Sequence, residues 1–117
     1  MSIDIDTLKG LWETIERKLI SNNEPYKTLN AIYEIHLTDV DDGICQLVFD
    51  DGSVVIHYSN VEKPDCTLKM KKKYFKRLLL GNLNSTTAFM TGKLRVTGNI
   101  NFALKLENML KRYDFSS

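Results

Sequence analysis

The chain contains no apolar run that approaches the roughly 18 residues a membrane-spanning helix needs. Its first residues lack the basic start and long apolar stretch of a secretory signal, and its last residues do not form a peroxisomal Ser-Lys-Leu address. We therefore expect a cytoplasmic protein. With 117 residues, 43% of them hydrophobic and 26% charged, the sequence has the composition of a globular chain, and we expect one domain over residues 1–117.

Cysteine and histidine are scarce, with two residues of each. Two cysteines are too few for the disulfide framework of a small secreted domain, so we interpret Cys45 and Cys66 as small buried apolar residues. No CxxC or HxxxH spacing joins them to His36 and His57, and no motif supports a Cys–His nucleophile. The histidines could do acid–base work, but both lie in strand-like patterns where structural histidines are commoner. We predict no metal, no cofactor and no enzymatic activity.

The first recognisable element is an amphipathic helix. Its apolar residues recur at i, i+3, i+4, i+7 and i+11, which places them on one helical face. They are Leu8, Leu11, Trp12, Ile15 and Leu19. The helix is expected to end before Pro25, because proline disfavours helical geometry in the residue that precedes it.

In the middle of the chain the apolar period changes from 3.6 to 2, which indicates strands. The pattern predicts a first strand over 31–37, two more over 44–49 and 54–58, and a fourth over 66–70. Asp50-Asp51-Gly52 separates the second strand from the third and is a strong hairpin signal. Three successive strands with tight turns predict an antiparallel meander.

The second half returns to a helical pattern. A helix is predicted around 74–79, a short one through 88–90, a fifth strand over 93–97 and a last helix from 100 to about 112. The last helix is apolar over more than half of its circumference, whereas packing on a sheet requires only one stripe. Its extra apolar surface must meet another part of the chain, a partner chain or a ligand.

Charge is distributed unevenly along the chain. Residues 1–62 carry a net charge of −8 and residues 63–117 carry +9. A folded domain could interleave the halves and leave the charges in solvent on opposite sides. The alternative is a basic patch that meets an anionic membrane surface. Its members are Lys69, Lys71, Lys72, Lys73, Lys76 and Arg77. They interleave only with Tyr74 and Phe75, which we interpret as core, so no nucleic-acid partner is predicted.

The ordered residues from Pro64 to Leu110 resemble the sterol carrier protein-2 (SCP2) family, in its stand-alone form. The pieces that carry the resemblance are residues 65–68 with Met70, Phe75, Gly81, Asn84 leading into Ala88-Phe89, then residues 92–99 and 103–106. The resemblance implies an α+β fold, with a five-stranded, mostly antiparallel sheet covered by about four to five helices. It also implies a non-catalytic carrier that holds fatty acids, fatty acyl-CoA, sterols or other lipids in an apolar tunnel between sheet and helices.

We expect apolar side chains of the second half to line this tunnel. They are Phe75, Leu79, Leu83, Phe89, Met90, Leu94, Val96, Phe102, Leu106, Met109 and Leu110. An empty tunnel of about 300 Å³ would cost several kcal/mol at roughly 24 cal/mol per Å³, so it must collapse or be filled. We expect a monomer or weak dimer. The alternative is an interaction or oligomerisation domain whose apolar C-terminal helix packs on a partner chain.

Two features depart from the family pattern. Lys71-Lys72-Lys73 stand where the family often has acidic residues, which favours anionic headgroups or acyl-CoA phosphates. Glu107 stands where animal members tend to carry a glutamine near the ligand. A carboxylate close to the ligand would repel an anionic lipid head.

Overall fold

The computed structural model describes residues 7–115; residues 1–6 and 116–117, on which the expected location partly rests, lie outside this range. In chain order the elements are α1 (Leu8–Ser21), a 3₁₀ helix (Glu24–Tyr26), β1 (Ala31–Leu37), β2 (Ile44–Asp50), β3 (Ser53–His57), β4 (Cys66–Met70), α2 (Lys72–Leu79), α3 (Ser85–Met90), β5 (Leu94–Gly98) and α4 (Ile100–Leu110). Within residues 7–115, none of the helices has the length and apolar character that crossing a membrane requires.

The strands form one sheet in the order β3-β2-β1-β4-β5. β1 and β4 are parallel, and the other neighbouring pairs are antiparallel. This confirms the predicted α+β class, the meander and the mostly antiparallel sheet. The four α-helices and the 3₁₀ helix agree with the predicted helix number, although the 3₁₀ helix around Pro25 was not predicted.

One face of the sheet is a continuous apolar surface. Tyr33 on β1 lies opposite Leu47 on β2 and Cys66 on β4, and all three are at most 2% exposed. Because successive side chains alternate between faces, the apolar period of 2 becomes this single inward face. The helices pack against this face. The centroid of the Tyr26 ring, in the 3₁₀ helix, lies 5.1 Å from the centroid of the Phe49 ring on β2. The core therefore sits between the sheet and the helices.

Both cysteines belong to this inward face and are free thiols. Burial raises the pKa of the Cys45 thiol to about 12 and that of Cys66 to about 11. Both thiols therefore stay protonated at neutral pH, and the interpretation of the two cysteines as small apolar residues is confirmed.

The opposite face of the sheet is partly covered by the connection between β3 and β4. Gln46, which is fully buried, accepts hydrogen bonds from the N–H groups of Val61 and Glu62 at 3.1 and 3.0 Å. Its Nε2 donates to the Glu62 carbonyl at 2.8 Å and to the Glu34 carboxylate at 2.9 Å. One buried amide thus holds the connection across the sheet.

α4 contacts β4, β5, α2, α3 and the 3₁₀ helix. These neighbours explain why its apolar surface exceeds a single stripe, since the helix is covered from several directions within the chain. It ends at Leu110, two residues before the predicted end. Residues 111–115 instead turn back and bury Phe115, which is 1% exposed.

At two positions, Gly52 and Gly98, the backbone geometry favours a residue without a side chain. In the β2–β3 hairpin, Asp51 and Gly52 both have positive φ (50° and 79°), as a type I′ turn requires, which confirms the predicted hairpin. Gly98 ends β5 with φ of 100°, and a Cβ there would lie 2.4 Å from the carbonyl oxygen of Asp65. β5 can therefore approach the start of β4 this closely only because residue 98 has no side chain.

We expect Gly98→Ala to lower the free energy of unfolding by about 3 kcal/mol, since it combines an unfavourable φ with a backbone clash. Gly92 is a matched control, because it has φ of 76° but open space around a Cβ. Gly92→Ala should cost about 1 kcal/mol. Urea unfolding measures both values, and equal losses would contradict the role of the close approach.

Candidate functional site

Nine of the eleven predicted tunnel-lining residues belong to one hydrophobic cluster. Phe75, Leu79, Leu83, Leu94, Leu106, Met109 and Leu110 are buried, and Val96 and Phe102 are half-buried against them. The buried seven are 1–7% exposed. Because these side chains are almost entirely shielded from solvent, they pack closely within the described residues and leave little open space among them.

Phe89 and Met90 are placed differently. They lie on the surface of α3, where they are 46% and 79% exposed, while Ala88 of the same helix is buried. A helix of six residues has too few apolar positions for periodicity to reveal its buried face. In this conformation neither side chain belongs to the closed hydrophobic cluster.

Two surface cavities lie beside α4 and reach predicted lining residues. One, of about 310 Å³, lies between Leu29 and α4 and is lined in part by Met109. The other, of about 100 Å³, lies between the end of α2 and residues 111–115 and is lined in part by Leu79. The closed cluster is therefore approached from the surface on two sides.

A wider groove of about 470 Å³ runs beside α1. Trp12 and Tyr58 line it together with the carboxylates of Glu13, Glu16 and Asp42. The Tyr58 hydroxyl donates to Glu16 at 2.6 Å, and burial with this hydrogen bond raises the pKa of Tyr58. Acidic side chains at its rim make this groove a poor site for an anionic lipid head.

Glu107 ties α4 to α3 from inside the protein. The residue is 5% exposed, and its carboxylate accepts hydrogen bonds from the Ser85 N–H at 2.8 Å and from the Ser85 hydroxyl. The other carboxylate oxygen pairs with Lys111 Nζ at 2.7 Å. The carboxylate is thus fully engaged by protein groups, and it satisfies the first N–H of α3.

These contacts control the protonation of Glu107. Burial alone would raise the pKa of the carboxyl, but the hydrogen bonds from Lys111 and Ser85 outweigh it and hold the pKa below its ordinary value of 4.5. Sequence reasoning singled out Glu107 but missed Ser85 and Lys111 as its partners. Ser85 is 22 residues away in sequence, so no local spacing signals the pair, whereas the i,i+4 spacing to Lys111 could have been read as an ion pair.

We expect Glu107→Gln to lower the free energy of unfolding by about 2 kcal/mol at pH 7, because the ion pair with Lys111 is lost. The folded pKa is lowered, so the wild-type advantage is complete well above pH 4.5 and shrinks as the pH falls through the folded value. Urea unfolding at pH 7 and pH 3 tests this expectation. An equal difference at both pH values would contradict it.

A long stretch of the second half carries only positive charge. From Cys66 to Leu106 the sequence has nine Lys and Arg residues and no Asp or Glu. Within the predicted basic patch, Lys71, Lys73 and Arg77 are exposed, and the other three residues are half-buried. α2, β5 and the residues that flank them therefore carry most of the positive charge of this stretch.

The structure adds two residues to this patch. Strand pairing sets Lys69 directly opposite Arg95, an unfavourable juxtaposition of like charges, and among residues 7–115 neither pairs with a carboxylate. The Tyr74 ring lies 5.1 Å from Lys73 Nζ and 5.6 Å from Lys93 Nζ. We call the six predicted residues together with Lys93 and Arg95 the basic surface. Sequence reasoning missed the last two because strand register and turn direction bring them close.

Comparison with known proteins identifies relatives. The model of the SCP-2 sterol transfer family matches residues 13–111. Sterol carrier protein 2 of Gallus gallus is 29% identical over 117 residues, and the match covers 93% of this chain and 21% of the relative. Hydroxysteroid dehydrogenase-like protein 2 of Xenopus laevis is 32% identical over 111 residues, with 93% and 26% covered. This chain thus spans only about a fifth to a quarter of these relatives.

The fold has solved counterparts. The apo form of sterol carrier protein 2 from Yarrowia lipolytica superposes with a TM-score of 0.74 at 26% identity, covering 95% of this chain and 96% of that one.

Proposed function

This chain belongs to the SCP-2 sterol transfer family, and we propose that it is a carrier that binds a hydrophobic lipid between its helices and its sheet. Fatty acids, fatty acyl-CoA and sterol-like lipids are the proposed ligands. The observation that carries the proposal is that nine predicted lining residues belong to the apolar core between the sheet and the helices. We propose that Phe89 and Met90 complete the site at its rim.

A lipid can bind in this place only if the hydrophobic cluster opens. An empty cavity of about 300 Å³ would cost about 7 kcal/mol, which is comparable with the whole stability of a small domain. The ligand-free walls therefore close on one another. A lipid that buries ten CH₂ groups gains about 8 kcal/mol before ordering costs, enough to separate side chains that pack well without it. The cavities beside Leu79 and Met109 are where we propose the path begins.

A matched pair of tryptophan substitutions tests this site. Val96 lies half-buried on the inward face of β5, and Val55 is 52% exposed on the outward face of β3. Val96→Trp should fill the proposed site and weaken fatty-acid binding about 10-fold or more, while Val55→Trp leaves it unchanged. Displacement of a fluorescent fatty acid provides the affinities. Equal affinities of both variants and the wild type would place the lipid elsewhere.

We propose that the basic surface docks the carrier onto anionic membrane. Each lysine near such a surface contributes about 1 kcal/mol, so replacing Lys71, Lys72 and Lys73 by Ser should weaken binding to phosphatidylserine-containing vesicles about 100-fold at low salt. The control replaces Lys9, Lys18 and Lys27, which belong to the acidic half. Vesicle co-sedimentation measures binding. If both triple variants bind like the wild type, the lysines are merely a solvated face.

The alternative function, an oligomerisation domain, depends on whether the apolar surface of the last helix is left free to pack on a partner chain. α4 turns most of its apolar side chains toward the sheet and the other helices, and its exposed residues are Asn101, Lys105 and Asn108. We therefore propose a monomer or weak dimer, for which the sedimentation coefficient hardly changes with concentration.

We also propose a cytoplasmic location, which the two free thiols support because unpaired cysteines persist in reducing compartments.

A further inference from the structure

α3 presents two large apolar side chains to solvent next to each other. Phe89 is 46% and Met90 79% exposed. Single exposed apolar residues are ordinary, but a contiguous group at a helix tip marks a surface that contacts something apolar. The closed hydrophobic cluster does not account for them, since Ala88 is the residue of this tip that packs inward.

The surroundings of this tip are cationic. Lys93 follows Met90 by three residues, and its N–H donates to the Ala88 carbonyl at 2.9 Å, which fixes the turn at the end of α3. Its ammonium group then reaches the Tyr74 ring of α2, on which Lys73 also lies. The other exposed residues at the start of α3, Thr86 and Thr87, carry no charge. Lys93 and, through the Tyr74 ring, Lys73 therefore place positive charge near the apolar tip.

We propose that Phe89 and Met90 insert into the surface of an anionic bilayer while the neighbouring lysines contact its phosphates. An apolar tip with a cationic border matches a bilayer, which places anionic groups directly above hydrocarbon. Two side chains are too little for a stable protein interface, which buries about 800 Å² on each partner. Shallow insertion needs no more than these side chains.

The position of α3 gives insertion a consequence for lipid transfer, and this step rests on the proposed carrier function. α3 packs on α4 and β5, and Glu107 holds its first residue, Ser85. Insertion of Phe89 and Met90 would therefore set the bilayer against the rim of the proposed lipid site. A lipid could then move between bilayer and protein with little exposure of its apolar body to water.

A dye at position 90 tests insertion directly. Met90→Cys can be labelled selectively with an environment-sensitive fluorophore, because Cys45 and Cys66 are at most 2% exposed and burial raises their thiol pKa values. Vesicles of phosphatidylcholine with phosphatidylserine should shift the emission of the Met90→Cys label to the blue. Lipids with a quencher on the acyl chain should then quench it. Ile20→Cys, labelled the same way at a position 63% exposed on α1, should show neither effect.

A double variant gives an independent readout. Phe89→Ser with Met90→Ser should weaken vesicle binding about 100-fold, from roughly 10-fold for each side chain, while the salt dependence stays that of the wild type. Vesicles that bind the protein without shifting the Met90→Cys label would overturn insertion, as would equal shifts at positions 20 and 90. Binding of a fluorescent fatty acid by the wild-type protein without vesicles is measured in parallel. Failure of that binding contradicts the carrier function, whereas the label decides insertion separately.

Discussion

The pairing of β1 with β4 is the constraint on which the rest of the structure depends. It is the parallel pair of the described sheet, and it joins the meander of the first half to the β4–β5 pair of the second. Asp65 secures it twice: its N–H donates to the Ile32 carbonyl, and its Oδ2 accepts from the Ile32 N–H, both at 2.8 Å. Gly98 then packs β5 closely against the Asp65 backbone. Because β1 pairs with β4, the inward apolar faces of the two halves form one continuous surface on which α4 packs.

The same register organises both proposed activities. On the inward face it aligns Ile35 with Leu68 and Leu68 with Val96, so apolar side chains run continuously from the centre of the sheet to its β5 edge. On the outward face it sets Lys69 beside Arg95. Part of the basic surface is thereby built from the same strands as the wall of the proposed lipid site. The buried carboxylate of Glu107 fixes α3 to α4.

The sequence predicts the local features of this fold better than its long-range contacts. Periodicity predicted the buried faces of α1 and β1, and the Asp-Gly pair predicted the hairpin turn at Gly52. These signals are local, so they can be read from neighbouring residues. The parallel pairing, the role of Gln46 and the contact of Glu107 with Ser85 join residues that are distant in sequence. The exposed positions of Phe89 and Met90 depend on the orientation of a helix too short for its pattern to specify.

Native mass spectrometry of gently purified protein shows whether the hydrophobic cluster between the sheet and the helices opens to hold a lipid. We expect a mass greater than that of the polypeptide, with the excess removed by organic extraction and identified as a hydrophobic small molecule. The polypeptide mass alone, combined with no displacement of a fluorescent fatty acid, would contradict it.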